Sequence, residues 1–320
     1  MPFKHHAARR HHIPKARYRV RNWPEYEAGL KRRGDLIVWL DEAAIAGWQA
    51  ERRSTPGGQR RYSDLAIRLV LTLRLVFHLA LRQAEGFARS VLRLLGLDLP
   101  VPDHTTLSRR GRRFSREAPT VIGAGAPRHL VIDSTGLRVF GFGAWHGEKY
   151  GYTRRSWRKL HVAVEATSGE IVASTLTDNA GDDAAEVQDL LAQITDPIAS
   201  VIADGAYDHA ATYQAIRDRQ PDAPPDVVIP PRATAVGSGA DTQRDRHIAV
   251  IAARGRMAWQ KATGYGRRSL VETAIGRFKA IIGSRLRARN WRGQQAETVI
   301  GASVLNRMIS LAKPVSVRTA

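Results

Sequence analysis

Two short apolar runs in this chain, HLVIDS at 129–134 and SVIAD at 200–204, each reach an aspartate after a block of aliphatic residues. That pattern constrains the fold most. A short apolar run of this length, bounded by polar residues, reads as a strand. An acid at its end is held rigidly and projects from the sheet edge, where an active site can form. Between the two runs, SWRKLHVAVEA alternates and puts Trp157, Lys159, His161, Ala163 and Glu165 on one side. Glu170–Thr177 follows across a Ser168-Gly169 turn, so the pair predicts a hairpin. Helices are expected at Asp183–Ile194 and His209–Asp218, with a further strand at Val227–Ile229. Strands whose helices arrive only after the third strand predict an α/β fold with a mixed sheet flanked by helices. A doubly wound dinucleotide fold is disfavoured, because Gly141-x-Gly143 lacks the third glycine and the following helix.

The first third of the chain reads differently. From Gly34 to Leu97 the apolar spacing is helical, with Leu36, Ile37, Leu40, Ala44 and Trp48 in phase. Ser63 is an N-cap candidate before the buried-looking Leu65–Leu81 segment, and Gln83–Leu97 makes another helix. Pro100–Asp103 breaks it, and Asp103 can cap a polar, Arg-rich helix, HTTLSRRGRRF, whose exposed residues include Arg109 and Arg110. This is the pattern of a helix-turn-helix unit aimed at a DNA major groove; a helical bundle with a solvated basic last helix has the same pattern. The organisation expected is a basic tail at 1–22, a helical DNA-binding region at 23–126, a catalytic domain at 127–292, and a C-terminal helix and tail at 293–320.

Charge points the same way. Fifty Lys+Arg against 30 Asp+Glu leave a formal net charge of +20 over 320 residues. Such an excess binds nucleic acid even without specificity, although Arg-rich codon usage alone gives a basic protein too. Cysteine is absent, which excludes a disulfide scaffold, a thiolate zinc site, an iron–sulfur cluster and a cysteine nucleophile. No secretory leader and no membrane span is read, so a cytoplasmic, nucleoid-associated protein is expected.

Asp133 and Asp204 on neighbouring strands would repel each other, and a divalent cation removes that penalty. Hard oxygen donors without Cys or a His cluster favour Mg²⁺, with Mn²⁺ as a substitute, over zinc. Taken singly, each aspartate reads as a loop cap. In GYGRRSLVETAIGRFKAIIG, a 3.6-residue repeat puts Tyr265, Arg268, Glu272 and Lys279 on one stripe, with Gly276 among them. Leu270, Val271, Ala274, Phe278, Ile281 and Ile282 form the opposite, sheet-facing side. From Gly264 to Arg292 there are eight Lys/Arg and a single acid, Glu272. On its own, Arg268–Glu272 is an ordinary solvated helix pair.

Together these residues resemble a known family. The order Asp133, Asp204, Glu272, with Tyr265-x2-Arg268-x3-Glu272-x6-Lys279, resembles the bacterial DDE insertion-sequence transposases and their Y-R-E-K signature. NWPEYEAGLKRRGDLIVWLD, DHTTLSRR, SWRKLHVAVE and ADGAYD resemble more narrowly the insertion-sequence-five type. The likeness runs from about Asn22 to Met308. It implies an RNase H-like catalytic domain, cut-and-paste transposition of double-stranded DNA, two Mg²⁺ ions on Asp133, Asp204 and Glu272, and at least two subunits on DNA. Tyr265, Arg268 and Lys279 would then contact DNA beside the metals, Arg109 and Arg110 would read element ends, and Trp145 or Trp157 would stack an unpaired base. Two other readings share these residues: a metal-dependent nuclease that cuts without joining, and a DNA-binding regulator whose catalytic fold is unused.

Overall fold

The computed structural model describes residues 17–40, 42–54, 56–122, 126–139 and 157–319. At its centre, β2 (Arg128–Val139) pairs antiparallel with β3 (Trp157–Glu165), which pairs antiparallel with β4 (Ile171–Asp178). On the other side β2 runs parallel to β5 (Ile198–Ile202), and β5 parallel to β6 (Asp226–Val228). The resulting order, β4-β3-β2-β5-β6, with a short β7 (Arg285–Leu286) on the far end of β2, is the RNase H-like mixed sheet that the resemblance implies.

Alternation along β2 divides the core. Val131 and Leu137 join a cluster with Leu160, Val162 and Val164 on one face, while Leu130 and Ile132 join Ala163, Val172 and Ala173 on the other. The second face is covered by α7 (Val187–Ala192) and α8 (Ala210–Arg219). The first face is covered by α10 (Ser269–Arg277) and α11 (Trp291–Leu311), which Asn290 caps by accepting the amide of Gly293. Before them in sequence, α9 (Gln243–Thr263) packs against β6.

The N-terminal helices add to the first face. After β1 (Arg17–Val20) come α1 (Trp23–Arg32), α2 (Leu36–Trp39), α3 (Glu42–Ala46), α4 (Asp64–Val76), α5 (Leu81–Leu94) and α6 (His104–Gly111). Ser63 caps α4 by accepting from Ala66 N, and Asp103 caps α6 by accepting from Thr105 and Thr106 N, as the sequence indicates. Their apolar sides (Ile67, Leu73, Val91, Leu107) belong to the same buried cluster as Val131, Phe278 and Ile300. The helical region and the sheet therefore share one core. β1 pairs with β8 (Ser316–Thr319), so residues 17–20 of the expected tail are a strand joined to the chain's other end. None of the helices is long and apolar enough to cross a membrane, among the described residues.

Several expected boundaries shift. The helix expected over 83–97 spans Leu81–Leu94, that over 183–194 shrinks to Val187–Ala192, and β2 extends five residues past Ser134 because β3 and β7 both pair with it.

Candidate active site

The parallel pairing of β2 and β5 puts Val131 opposite Ile202. Two residues further along each strand stand Asp133 and Asp204, side by side on adjacent strands. Asp204 lies just past the end of β5, where its Oδ1 accepts from Ala206 N and caps the short 3₁₀ turn Gly205–Tyr207. Asp133 is largely buried, with Oδ1 accepting from Ser134 N at 2.8 Å.

Glu272 comes from a different direction. Gly264, in the left-handed conformation at φ 67°, ends α9 and turns the chain into a 3₁₀ turn, Tyr265–Arg268, that leads into α10. Phe278–Ile282 then widens into a π turn. The expected single helical stripe is thus three consecutive helical types. Val271 and Ala274 are buried against the sheet, Leu270 is half-buried, and Glu272 faces outward.

What joins the three acids is Arg268. Its Nη2 lies 3.1 Å from Asp133 Oδ2 and 4.0 Å from Asp204 Oδ2, and its Nη1 donates to Glu272 Oε1 at 2.6 Å. The guanidinium is the positive charge at the focus of three carboxylates. Burial pushes the Asp133 carboxyl above its ordinary value; Asp204 and Glu272 push it further, and the Ser134 amide and Arg268 oppose them. A concentration of acid that raises a neighbour's proton affinity is the electrostatic setting a cation relieves. Three carboxylates are also a hard-oxygen donor set suited to Mg²⁺ or Mn²⁺. In this arrangement, with Arg268 between them, no three metal-ligating side chains converge closely enough to share an ion among the described residues.

Two family models described as a transposase DDE domain match this sequence, one over residues 124–307 and one over residues 31–142. The chain belongs to the DDE transposase family. A solved structure, the piggyBac transposase synaptic complex with hairpin DNA, aligns over 88% of this chain and 74% of its own at 11% identity, with a TM-score of 0.42.

Around the three acids of this DDE transposase, the other expected contact residues are dispersed. Tyr265 is half-buried, its ring 5.3 Å from that of the fully buried Trp259, and burial raises its phenol's proton affinity. Trp259 Nε1 in turn donates to His247 Nδ1, whose Nε2 lies 2.7 Å from the Val227 carbonyl. This chain of contacts anchors the start of the signature to strand β6. Lys279 is half-buried on the π turn, two turns and about 10 Å along the axis from Glu272. Trp157 packs its ring over Gly136 and shares a sheet face with Lys159 and His161, opposite to Asp133. Trp145 lies outside the described residues.

On α6, Arg109 is exposed, whereas Arg110 is not free. Its Nη2 donates to Asp64 Oδ1 at 2.7 Å, and Arg113 also pairs with Asp64. The sequence pattern lists Arg110 among exposed residues, but Asp64 opens α4 and draws Arg110 down onto it. Nine residues, 95–103, separate α5 from α6, longer than the three or four of a compact helix-turn-helix.

Two supporting residues were missed in the sequence. The Asp208 side chain is fully buried behind the Asp204 turn, and accepts from Arg244 Nε at 2.7 Å, from Arg244 Nη2 at 3.1 Å and from Arg232 N at 3.1 Å. The second is His161, wholly buried on the far face of the sheet, with Nδ1 3.2 Å from Asp183 and Nε2 2.9 Å from Thr177 Oγ1. The second aspartate of ADGAYD and the lone histidine of β3 were the available signals.

Proposed function

We propose that this protein binds the terminal inverted repeats of an insertion sequence, cleaves the element ends and joins them to target DNA by phosphoryl transfer. The observation that carries this reading is the convergence of Asp133, Asp204 and Glu272, from β2, the end of β5 and α10, on one guanidinium. An ordinary helix pair would account for Arg268 and Glu272 alone; it does not account for an aspartate inside β2 and another just past β5 at the same point.

Asp133, Asp204 and Glu272 would together hold two divalent ions. Two such ions supply an activated water or 3′-hydroxyl and stabilise charge on the leaving oxygen. The chain's own residues do the rest. Asp133, held by the Ser134 amide, fixes the position of the site on a rigid strand. Arg268 balances the acid charge and presents a planar fork suited to two phosphate oxygens. Lys279, farther along the same helical segment, would meet a neighbouring phosphate, and Tyr265 the backbone or a base. Exposed Arg109 is the α6 side chain best placed to read a base edge. The narrower insertion-sequence-five assignment is supported by the motifs around Asp35, His104, His161 and Asp204. Coordinate joining of two ends calls for at least two subunits on DNA.

The test uses the full chain with DNA carrying the inverted repeats that flank its gene. Asp133→Ala, Asp204→Ala and Glu272→Ala should each abolish Mg²⁺-dependent cleavage while leaving end binding and the folded state intact. Wild-type cleavage by any of them would remove that residue from the site. Strand transfer from pre-cut ends distinguishes a transposase from a nuclease that only cuts.

A further inference from the structure

We infer that the groove between the N-terminal helices and the loop after the π turn is a second grip on duplex DNA, contacting backbone phosphates away from the reacting bond. The inference rests on the DNA-binding part of the reading above and adds a surface to it. The groove encloses roughly 800 Å³ between α4, α5 and α6 on one side and residues 282–300 on the other. Six arginines line it, from both sides, and a single acid, Glu297.

That acid is already committed. Glu297 is buried in α11, and its two oxygens accept from Arg287 N at 2.9 and 3.1 Å and from Ala288 N at 2.8 Å. Its work is to hold the basic RLRAR loop in place, with Arg287 Nη1 donating across the groove to the Leu79 carbonyl. Arg74, 9% exposed in the last turn of α4, comes no closer than 3.8 Å to Glu297, and its Nε has no hydrogen-bond partner among the described residues. A buried guanidinium with an unused donor is costly unless an acceptor arrives. Arg82, Arg112 and Arg285 are exposed at the rim and have no acidic partner among the described residues. Charge so lopsided, with donors left over, fits a polyanion and not an apolar ligand.

The placement also favours a long polyanion. Arg285 sits on β7, opposite Arg138 of β2. Asp133 is five residues back along the same strand, about 17 Å at 3.3 Å per residue. That is about five base pairs of duplex at 3.4 Å each. One wall is α6 itself, through Leu107, Ser108 and Gly111, with Arg112 just past its end, so a duplex lying on α6 passes this groove on its way to the acids.

The experiment measures binding of a fluorescein-labelled 30-base-pair duplex of mixed sequence to the full chain between 50 and 300 mM NaCl. Each phosphate contact contributes about 0.9 to the slope of log Kd against log salt. Arg82→Ala/Arg112→Ala/Arg285→Ala should therefore flatten the slope by about two to three and raise Kd at least tenfold at 100 mM salt. The corresponding triple Lys variant should keep the wild-type slope. If the triple Ala variant does not fold, Arg82→Ala alone should lower the slope by about 0.9. A control that removes the same charge elsewhere, Arg93→Ala/Arg217→Ala/Arg307→Ala, should change it by less than one. A wild-type slope in the groove variant, or an equal loss in the control, overturns the groove. Wild-type cleavage assayed alongside separates the two proposals: cleavage with an unchanged slope removes the groove alone, and a lost slope without cleavage removes the transposition chemistry alone.

Discussion

Removing Arg244 tests whether the Asp204 turn is held from behind. The Asp208 side chain is fully buried, and its two oxygens are matched by the Arg244 fork and one backbone amide. Arg244→Ala leaves that carboxylate with the Arg232 amide alone. Breaking a buried pair from one side typically costs about 3–5 kcal/mol. Protonation sets a ceiling: neutralising a carboxyl of ordinary pKa at pH 7 costs about 4 kcal/mol, at 1.36 kcal/mol per unit. The expected loss at pH 7 is therefore about 3–4 kcal/mol, or roughly 5 °C in Tm for a chain of this size. The pH dependence has a definite sign. Burial, the largest single effect, favours the neutral acid, but the Arg244 hydrogen bonds, the Arg232 amide and the charges of both arginines together outweigh it and hold Asp208 below its ordinary value. In the wild type that stabilisation is complete above the unfolded pKa and is lost as pH falls through the folded one. In Arg244→Ala the buried acid takes up a proton, so the gap between the two proteins should shrink to about 1 kcal/mol near pH 4. Adding Asp208→Asn to Arg244→Ala removes the stranded charge and should recover most of the loss. Where the variant still folds, cleavage should fall about a hundredfold with DNA binding retained, because a shift of about 1 Å in Asp204 is enough. Denaturant melts at pH 7, 5.5 and 4 measure this. A loss below about 1 kcal/mol that does not vary with pH is what a solvated pair would give, and it would refute the reasoning.

Arg268→Ala should bind DNA nearly as well as wild type yet cleave at least a hundredfold more slowly, with Lys restoring only part because it lacks the planar fork; near-normal single-turnover cleavage at saturating DNA would reduce Arg268 to a helix pair. His161 is held down to about 4 by burial, against the pull of Asp183, so it stays neutral in the fold while the unfolded chain protonates. Stability should thus fall by up to about 1.4 kcal/mol per unit from pH 6.5 towards 4, and His161→Gln should flatten that acid limb in urea titrations. Gly255 kinks α9 at φ 77° and ψ 160°, a region essentially confined to glycine, so Gly255→Ala should lose about 1–3 kcal/mol. Gly276 meets open space on α10, so Gly276→Ala should gain about 0.5–1 kcal/mol in melts; if a phosphate lies against it, cleavage should nevertheless decline.

What could be read from the sequence was what is decided within a few residues. Ser63 and Asp103 cap their helices because a short oxygen-bearing side chain reaches an amide two or three positions on. Asp133 was legible as a strand residue because the aliphatic block before it has no other use, and Asp204 because SVIAD repeats the pattern. Longer-range pairing was not legible. Nothing local announces that Arg17–Val20 pairs with Ser316–Thr319, or that Arg285–Leu286 docks on the end of β2. The spacing from Tyr265 to Lys279 fits a stripe on one ideal helix, whereas Gly264 and the π turn divide it into three. Arg110 looked solvent-facing by periodicity, and only the packing of α6 on α4 brings Asp64 beneath it.

The shared core determines how binding and chemistry are connected. Ile67 and Leu107 of the helical region pack in the same cluster as Val271 and Phe278, which flank Glu272 on its own helical segment. Arg74 of α4 lies beside Glu297 of α11, and Glu297 shapes the basic loop that follows the π turn. A helical region joined by a flexible linker could tilt on its DNA without moving the acids. Here, packed interiors resist deformation, so force applied at α6 is delivered to α10 and α11 as a rigid-body shift. Two walls of the groove belong to the two regions, so DNA seated there bridges them directly. Contacts on the helices would then be felt at all three acids, because Val131 and Ile202, two residues before Asp133 and Asp204, and Val271 beside Glu272 all belong to that cluster. That coupling suits a reaction in which the scissile phosphate is positioned only after the ends are bound.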